Sequence, residues 1–259
     1  MTRRRWIGSV LAILLSLLPG IATADGLAEA TKRGYLRIGT SGTAVPYSWV
    51  NPQNELIGFD IDWGNLIGRE LNLPVRWIKT DFRGLFPALQ SGQLDLVISG
   101  VRIRPDLQKA FLFSVPYSHE ATVGVVRKDD LSMQNVGDLK GRIVAVVAAS
   151  FQEDYAKRMG GYRELLSLPT GADVFLALHT GHADVAMTGL TSATHYVRRG
   201  YPARIVAEGA VLNAQGIVMG KKSVDLKAAI DSIIERRQAD GTYAELYRKH
   251  FHLEPPQPG

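Results

Sequence analysis

From residue 35 onward the chain alternates short apolar runs with amphipathic helical patterns. Tyr35 to Thr40 alternates apolar and polar positions and ends in Gly39-Thr40, the pattern of a strand. Phe59, Trp63, Leu66, Ile67 and Leu71 recur at helical spacing. Asp60 and Asp62 stand in the first turn, where acidic groups suit the helix dipole, and Pro74 lies beyond the last. Val75 to Ile78 reads as the next strand, Leu85 to Leu89 as a short helix stopped by Ser91-Gly92, and Leu94 to Ile98 as a buried strand running into Ser99-Gly100. The order then repeats. A strand is predicted over 142–147, a helix from near Ser150 past Tyr155, a helix over 174–179 closed by Gly181, and a strand over 183–187 followed by Thr188-Gly189. A last amphipathic helix over 225–238 turns Leu226, Ile230, Ile233 and Ile234 inward.

Strands alternating with helices predict parallel βαβ units, and their two clusters, about 35–117 and 139–208, predict two α/β lobes. No linker rich in Pro, Gly or Ser separates the clusters, so ordinary strands are expected to join them. In open parallel sheets a ligand sits beyond the carboxyl ends of the strands. Those ends carry Thr40-Ser41-Gly42, Ser99-Gly100, Ala149-Ser150 and Thr188-Gly189, small residues that leave backbone N–H groups open to a ligand. Two such edges facing each other make a cleft.

The first residues read as an address. Arg3, Arg4 and Arg5 precede the uncharged apolar run Ile7 to Leu18, which Pro19-Gly20 breaks before Ala22-Thr23-Ala24. This is the order of a secretory signal peptide, residues 1–24, cleaved after Ala24. The apolar run falls short of the roughly 20 residues that span a bilayer. Without the three arginines the formal net charge drops from +5 to +2, and no concentrated basic run remains to bind nucleic acid. The chain has no cysteine, which excludes disulfides, thiolate chemistry and a lipid-bearing cysteine at the cleavage site. A protein free in the periplasm, and monomeric, is expected. His179 and His182 lack acidic partners at zinc spacing, so neither metal nor cofactor is expected. Neither a Gly-x-Ser-x-Gly elbow nor a P-loop occurs.

Five segments carry a resemblance: Leu56-Ile57-Gly58-Phe59-Asp60-Ile61-Asp62, the run Asp81 to Asp95, Phe113-Ser114-Val115-Pro116-Tyr117, Asp138-Leu139-Lys140-Gly141 and Asp240-Gly241-Thr242-Tyr243. In this order, across nearly all of 30–252, they resemble the family 3 extracellular solute-binding proteins, the polar amino-acid receptors of ABC importers. The resemblance implies a two-lobed, type II periplasmic-binding-protein fold, each lobe a mostly parallel sheet flanked by helices, joined by a two-strand hinge near 118–124 and 208–216. Lobe 1 is then 25–118 with 214–259, and lobe 2 is 119–213. It also implies hinged closure on a small molecule and delivery to the importer's membrane subunits.

The resemblance fails at the centre of the site. The family's carboxylate-binding arginine falls on Leu107, its ammonium-binding aspartate on Gly189, a second acid on Ser41, and a threonine at the second lobe's helix start on Phe151. A bidentate arginine–carboxylate pair is the strong element of α-amino-acid recognition, and unpaired charges in a cleft cost several kcal/mol. An ordinary α-amino acid is therefore not the expected ligand. Arg102 offers a substitute anion contact, with Arg104 two residues on and on the same face of an extended segment. Phe82 matches the aromatic that stacks on ligands in the family, and Tyr47, Trp49 and Phe151 extend an aromatic wall. The expected ligand-binding residues are Ser41, Tyr47, Phe82, Ser99, Gly100, Arg102, Ser150, Phe151 and Gly189. The expected ligand is a small polar or anionic molecule, an amino acid or a related carboxylate or aromatic acid. Two alternatives stay open: a lyase like the periplasmic cyclohexadienyl dehydratases with Glu153 as its acid, and a ligand sensor for a separate signalling partner.

Overall fold

The computed structural model describes residues 26–255. The signal peptide expected over 1–24 and the end of the tail lie outside the described residues. Elements follow in chain order: α1 (Gly26–Arg33), β1 (Leu36–Thr40), β2 (Thr43–Ala44), β3 (Ser48–Val50), β4 (Leu56–Ile57), α2 (Phe59–Glu70), β5 (Val75–Lys79), a 3-10 turn (Phe82–Gly84), α3 (Leu85–Gln90), β6 (Leu96–Val97), α4 (Pro105–Ala110), β7 (Phe111–Phe113) and β8 (Ser118–Arg127). Then come β9 (Ile143–Val147), α5 (Phe151–Met159), β10 (Glu164–Leu168), α6 (Gly171–His179), β11 (Val185–Gly189), α7 (Leu190–Arg198), β12 (Ala203–Gln215), β13 (Val218–Gly220), α8 (Val224–Ala239) and α9 (Thr242–Phe251).

Two five-stranded sheets form, in the orders β5-β1-β6-β13-β7 and β10-β9-β11-β8-β12. In the first, β1 runs parallel to β5 and β6 while β13 opposes its neighbours. In the second, β9 runs parallel to β10 and β11 while β8 opposes its neighbours. This is the expected two-lobed α/β fold, with one opposing strand in each sheet. The strands β8 and β12 pair with each other along most of their length, including Ser118–Thr122 against Val211–Gln215, close to where the chain passes between the sheets.

Alternation places each strand's side chains on two covered faces, as sheets buried on both sides require. Leu36 and Ile38 of β1 enter one cluster with Phe59, Trp63 and Ile67 of α2 and Ile230 of α8, while Val97 of β6 faces a second cluster with Leu85 and Leu89 of α3. In the second sheet Ala145, Val123 and Val125 meet Val174, Phe175 and Leu178 of α6, and Val144, Val146 and Met187 meet Ala156 of α5. The start of α2 needs Gly58, whose φ is 137° and where a Cβ would lie 2.2 Å from the Tyr47 carbonyl oxygen. Three expectations shift. Within the strand expected over 94–98 the regular part is Leu96–Val97, flanked by Asp95 N and Ile98 N, which donate to the Arg37 and Gly39 carbonyls of β1 at 3.0 Å. The helix expected from residue 174 starts at Gly171, because Thr170 and Asp173 form a reciprocal capping box. The strand expected over 183–187 extends to Gly189, pairing there with Thr122.

Candidate functional site

The carboxyl ends of β1, β6, β9 and β11 converge on a cavity between the two sheets, some 820 Å³ of space counted out to its mouth. All nine residues expected from the sequence line it: Ser41, Tyr47, Phe82, Ser99, Gly100 and Arg102 on one side, Ser150, Phe151 and Gly189 on the other. The turn after β1 is held by Ser41 N, which donates to Ser99 Oγ at 3.1 Å. Ser150 caps α5, its Oγ accepting from Glu153 N at 3.2 Å. Phe82 is half-buried, edge-on to Phe86 with centroids 5.9 Å apart. Phe151 stacks on Tyr155. Phe175 of α6 and Tyr196 of α7, which stack with centroids 3.9 Å apart, also reach the lining.

Arg102 is the cation of the site and only 7 % exposed. Its guanidinium lies 5.0 Å over the Phe151 ring. Nη2 donates to Thr122 Oγ1 at 3.3 Å. Gln152, with its amide oxygen turned to the guanidinium, accepts from Nη1 and Nη2 at 2.9 and 2.8 Å. Nε has no partner. Burial pulls the Arg102 pKa below its ordinary value, and Glu120 acts on it through space in the opposite direction. All of its hydrogen-bond partners are thus neutral.

Two expectations are corrected. Arg104 does not join Arg102 at the cavity: its guanidinium pairs with Asp154 of α5 and, at 3.2 Å, with Asp106. The shared face ends because Pro105 opens α4 directly after Arg104. Trp49 does not line the cavity; it lies 6.2 Å from the His195 ring, between lobes. Leu107 packs half-buried against the cluster around Phe111 and offers no charge.

Glu120 was missed by sequence reasoning. It stands on β8, lines the cavity and is 2 % exposed. Tyr47 Oη donates to its Oε2 at 2.6 Å, Thr191 Oγ1 donates to the same oxygen, and Thr191 N donates to Oε1 at 3.2 Å. The available signal was a lone acid in the segment near 118–124 expected to form the hinge. Gln215, on β12, was also missed; its Nε2 donates to the Gly100 carbonyl at 3.1 Å.

Glu153, the acid of the lyase alternative, points elsewhere. Burial works to raise its pKa, but hydrogen bonds from Ser167 Oγ, Lys157 Nζ and Ala149 N outweigh burial and hold it below the ordinary carboxylate value. It does not line the cavity. Among the described residues no cluster of His, Cys, Asp and Glu could hold a metal, and no helix is long and apolar enough to cross a membrane.

The cleft geometry agrees with sequence comparison. The profile of the bacterial extracellular solute-binding proteins, family 3, matches residues 36–253. The chain belongs to this family. The lysine/arginine/ornithine-binding periplasmic protein of Escherichia coli is 26% identical to it, over 94% of this chain and 96% of that protein. A crystal structure of a mutant of ArgBP from T. maritima superposes with a TM-score of 0.83 at 29% identity, covering 88% of this chain and 100% of that one. An ancestral amino-acid-binding protein described as a precursor of cyclohexadienyl dehydratase superposes equally well, TM-score 0.83 at 30% identity, over 87% of this chain and 99% of that one. This solute-binding protein therefore shares its fold with amino-acid receptors on both sequence and structural grounds.

Proposed function

We propose that the chain is an exported periplasmic receptor that binds a small carboxylate-bearing solute, of the amino-acid or aromatic-acid type, and presents it to the membrane subunits of an ABC importer. The observation that carries this reading is Arg102: a buried guanidinium lining an interlobe cavity, surrounded by neutral hydrogen-bond partners. A buried charge with no hydrogen-bonded counter-ion is costly, and Glu120 acts on this guanidinium only through space. An anionic ligand removes that cost, and Phe82 and Phe151 cover its apolar body. The relatives named above bind amino acids, which supports the same ligand class.

Closure follows from where the contacts fall. Lobe 1, 25–118 with 214–259, and lobe 2, 119–213, swing about β8 and β12. Across the gap Ser192 Oγ donates to the Val45 carbonyl at 2.7 Å, and Arg104 pairs with Asp154. A ligand touching both walls stabilises the closed form by its differential affinity for that form. A receptor rather than a lyase is the better reading, because Glu153 is held ionised by three donors and turned away from the cavity.

A thermal-shift screen of carboxylates, with amines as controls, tests the proposal, since a ligand specific to the folded state raises its melting temperature. Carboxylates are expected to stabilise the protein and Arg102→Ala to abolish the best response. An equal response in Arg102→Ala, or none to any carboxylate, retires the reading.

A further inference from the structure

The cavity holds a second buried charge. Glu120 and Arg102 both line it, yet the guanidinium spends its hydrogen bonds on Gln152 and Thr122 and feels Glu120 only through space. The two charges remain separate poles. Glu120 is positioned from three directions. Its own strand places it beside Asn213 of β12, Tyr47 reaches it from the first lobe, and Thr191 reaches it from the start of α7. The end of β11 makes room for it: a Cβ on Gly189 would lie 2.7 Å from Glu120 Cδ and 2.8 Å from Oε2. A glycine there lets the carboxylate occupy the volume at the strand end, beside the cavity.

Its hydrogen-bonding capacity is not exhausted. The two oxygens of a carboxylate accept about four hydrogen bonds. Two of the three donors go to Oε2, which leaves Oε1 with one 3.2 Å contact from a backbone N–H. A purely structural clasp between Tyr47 and Thr191 needs hydroxyl-sized acceptors, not a charge taken into a desolvated wall.

From this we infer that Glu120 is the specificity-determining, cation-binding pole of the site. It selects solutes that carry an ammonium or related N–H cation together with the carboxylate held by Arg102. The inference rests on the proposed reading of the cavity, and it supplies the charge partner that the sequence placed nowhere. A zwitterion would then neutralise both buried charges at once. The acid stands on a strand that passes between the lobes, not at the end of β11.

The experiment uses matched probes on the exported protein, residues 25–259: L-phenylalanine with 3-phenylpropanoate, L-leucine with 4-methylpentanoate, and L-glutamate with glutarate. Calorimetry or thermal shift gives the affinity ratio within each pair. In a pair that binds, the amine-bearing member is expected to bind at least about tenfold more tightly. Glu120→Gln is expected to remove that ratio and leave the amine-free acid within about twofold. A clasp without ligand contact would weaken both members alike. The amide introduced by Glu120→Gln would face the Tyr47 and Thr191 donors, so if that variant does not fold, the wild-type ratio decides by itself. Equal binding of both members, binding confined to acids without an amine, or a ratio unchanged in a folded Glu120→Gln overturns the role of Glu120 and leaves the receptor reading standing. Silence from these pairs and from every carboxylate removes both.

Discussion

The first sheet packs against a cluster of six buried rings, the second mainly against aliphatic side chains, with Phe175 the one ring among its buried cluster residues. Tyr47, Phe59, Trp63, Tyr117, Tyr247 and Phe251 share one cluster in the first lobe, with Phe59 stacked on Tyr117 at 5.9 Å and tilted against Phe251 at 4.7 Å. Val123, Val125, Ala145, Ala186 and Ala193 dominate one face of the second sheet, and Val126, Val144, Val146 and Val185 the other. The difference reaches the cleft. Two tyrosines bury their rings in the first lobe and aim their hydroxyls at acids: Tyr47 at Glu120, and Tyr117 at Asp60 Oδ1 at 2.7 Å. Tyr117 Oη also accepts from Gly100 N, a backbone group of the cavity wall, at 3.3 Å. The second lobe contributes helix starts instead, at Ser150, Gly171 and Gly189. The first-lobe wall is thus anchored by tyrosine hydroxyls, while the second-lobe wall combines helix starts with the rings of Phe151, Phe175 and Tyr196.

Truncating each core should separate the two most strongly. Phe59→Ala is expected to cost about 3–5 kcal/mol in urea denaturation, because it empties the centre of the aromatic cluster. Val185→Ala in the second lobe should cost roughly 2 kcal/mol. Equal losses would mean that the aromatic cluster is not the stiffer of the two cores.

The next effect is one of pH. Asp60 is fully buried, and burial raises its pKa from 3.8 to about 7, against the opposing hydrogen bond from Tyr117. The folded chain therefore keeps a proton that the unfolded chain releases above pH 3.8. The stability tied to that proton is complete below the unfolded value and is lost as the pH rises through about 7. Between pH 5 and 8 the loss should amount to roughly 2–3 kcal/mol. Asp60→Asn should flatten this part of the profile in melts taken across that range. On the second lobe Asp130 acts with the opposite sign. Burial opposes ionisation there, but Ser132 and Arg142 prevail and hold its pKa well below the ordinary value, so its contribution is lost in acid. The smallest effect is expected at Thr170. Thr170→Ala removes the hydroxyl that accepts from Asp173 N, while the backbone N–H of residue 170 can still donate to the Asp173 carboxylate; the change should cost about 1 kcal/mol, read as a lower urea midpoint.

The sequence showed the frame better than the centre of the site. The spacing of Phe59, Trp63 and Ile67 marked α2, and all three are fully buried. Helix α7 escaped notice because Leu190–Arg198 is rich in Thr, Ser and β-branched residues and buries only Thr191 and Ala193. The positions after strand ends were legible, since Ser41, Ser99, Gly100, Ser150 and Gly189 follow from topology alone. Glu120 was not, because its burial depends on β12 beside it and on α7 reaching it from 71 residues away. Arg102 and Arg104 looked equivalent two residues apart. What divides them is Pro105, which starts a helix, and Asp154, which belongs to the other lobe.

The close fit between position 189 and the Glu120 carboxyl group has an evolutionary consequence. The Glu120 side chain fills the space there, so residue 189 cannot gain a Cβ unless that side chain shifts. A lineage that enlarged residue 189 while keeping glutamate at 120 would meet a clash. One that shortened residue 120 first would pass through a cleft that keeps the guanidinium but lacks the carboxylate. Any route between acid placements is therefore expected to need paired changes, and shuffling either segment alone from a relative should give a receptor with a vacant or an overfilled corner.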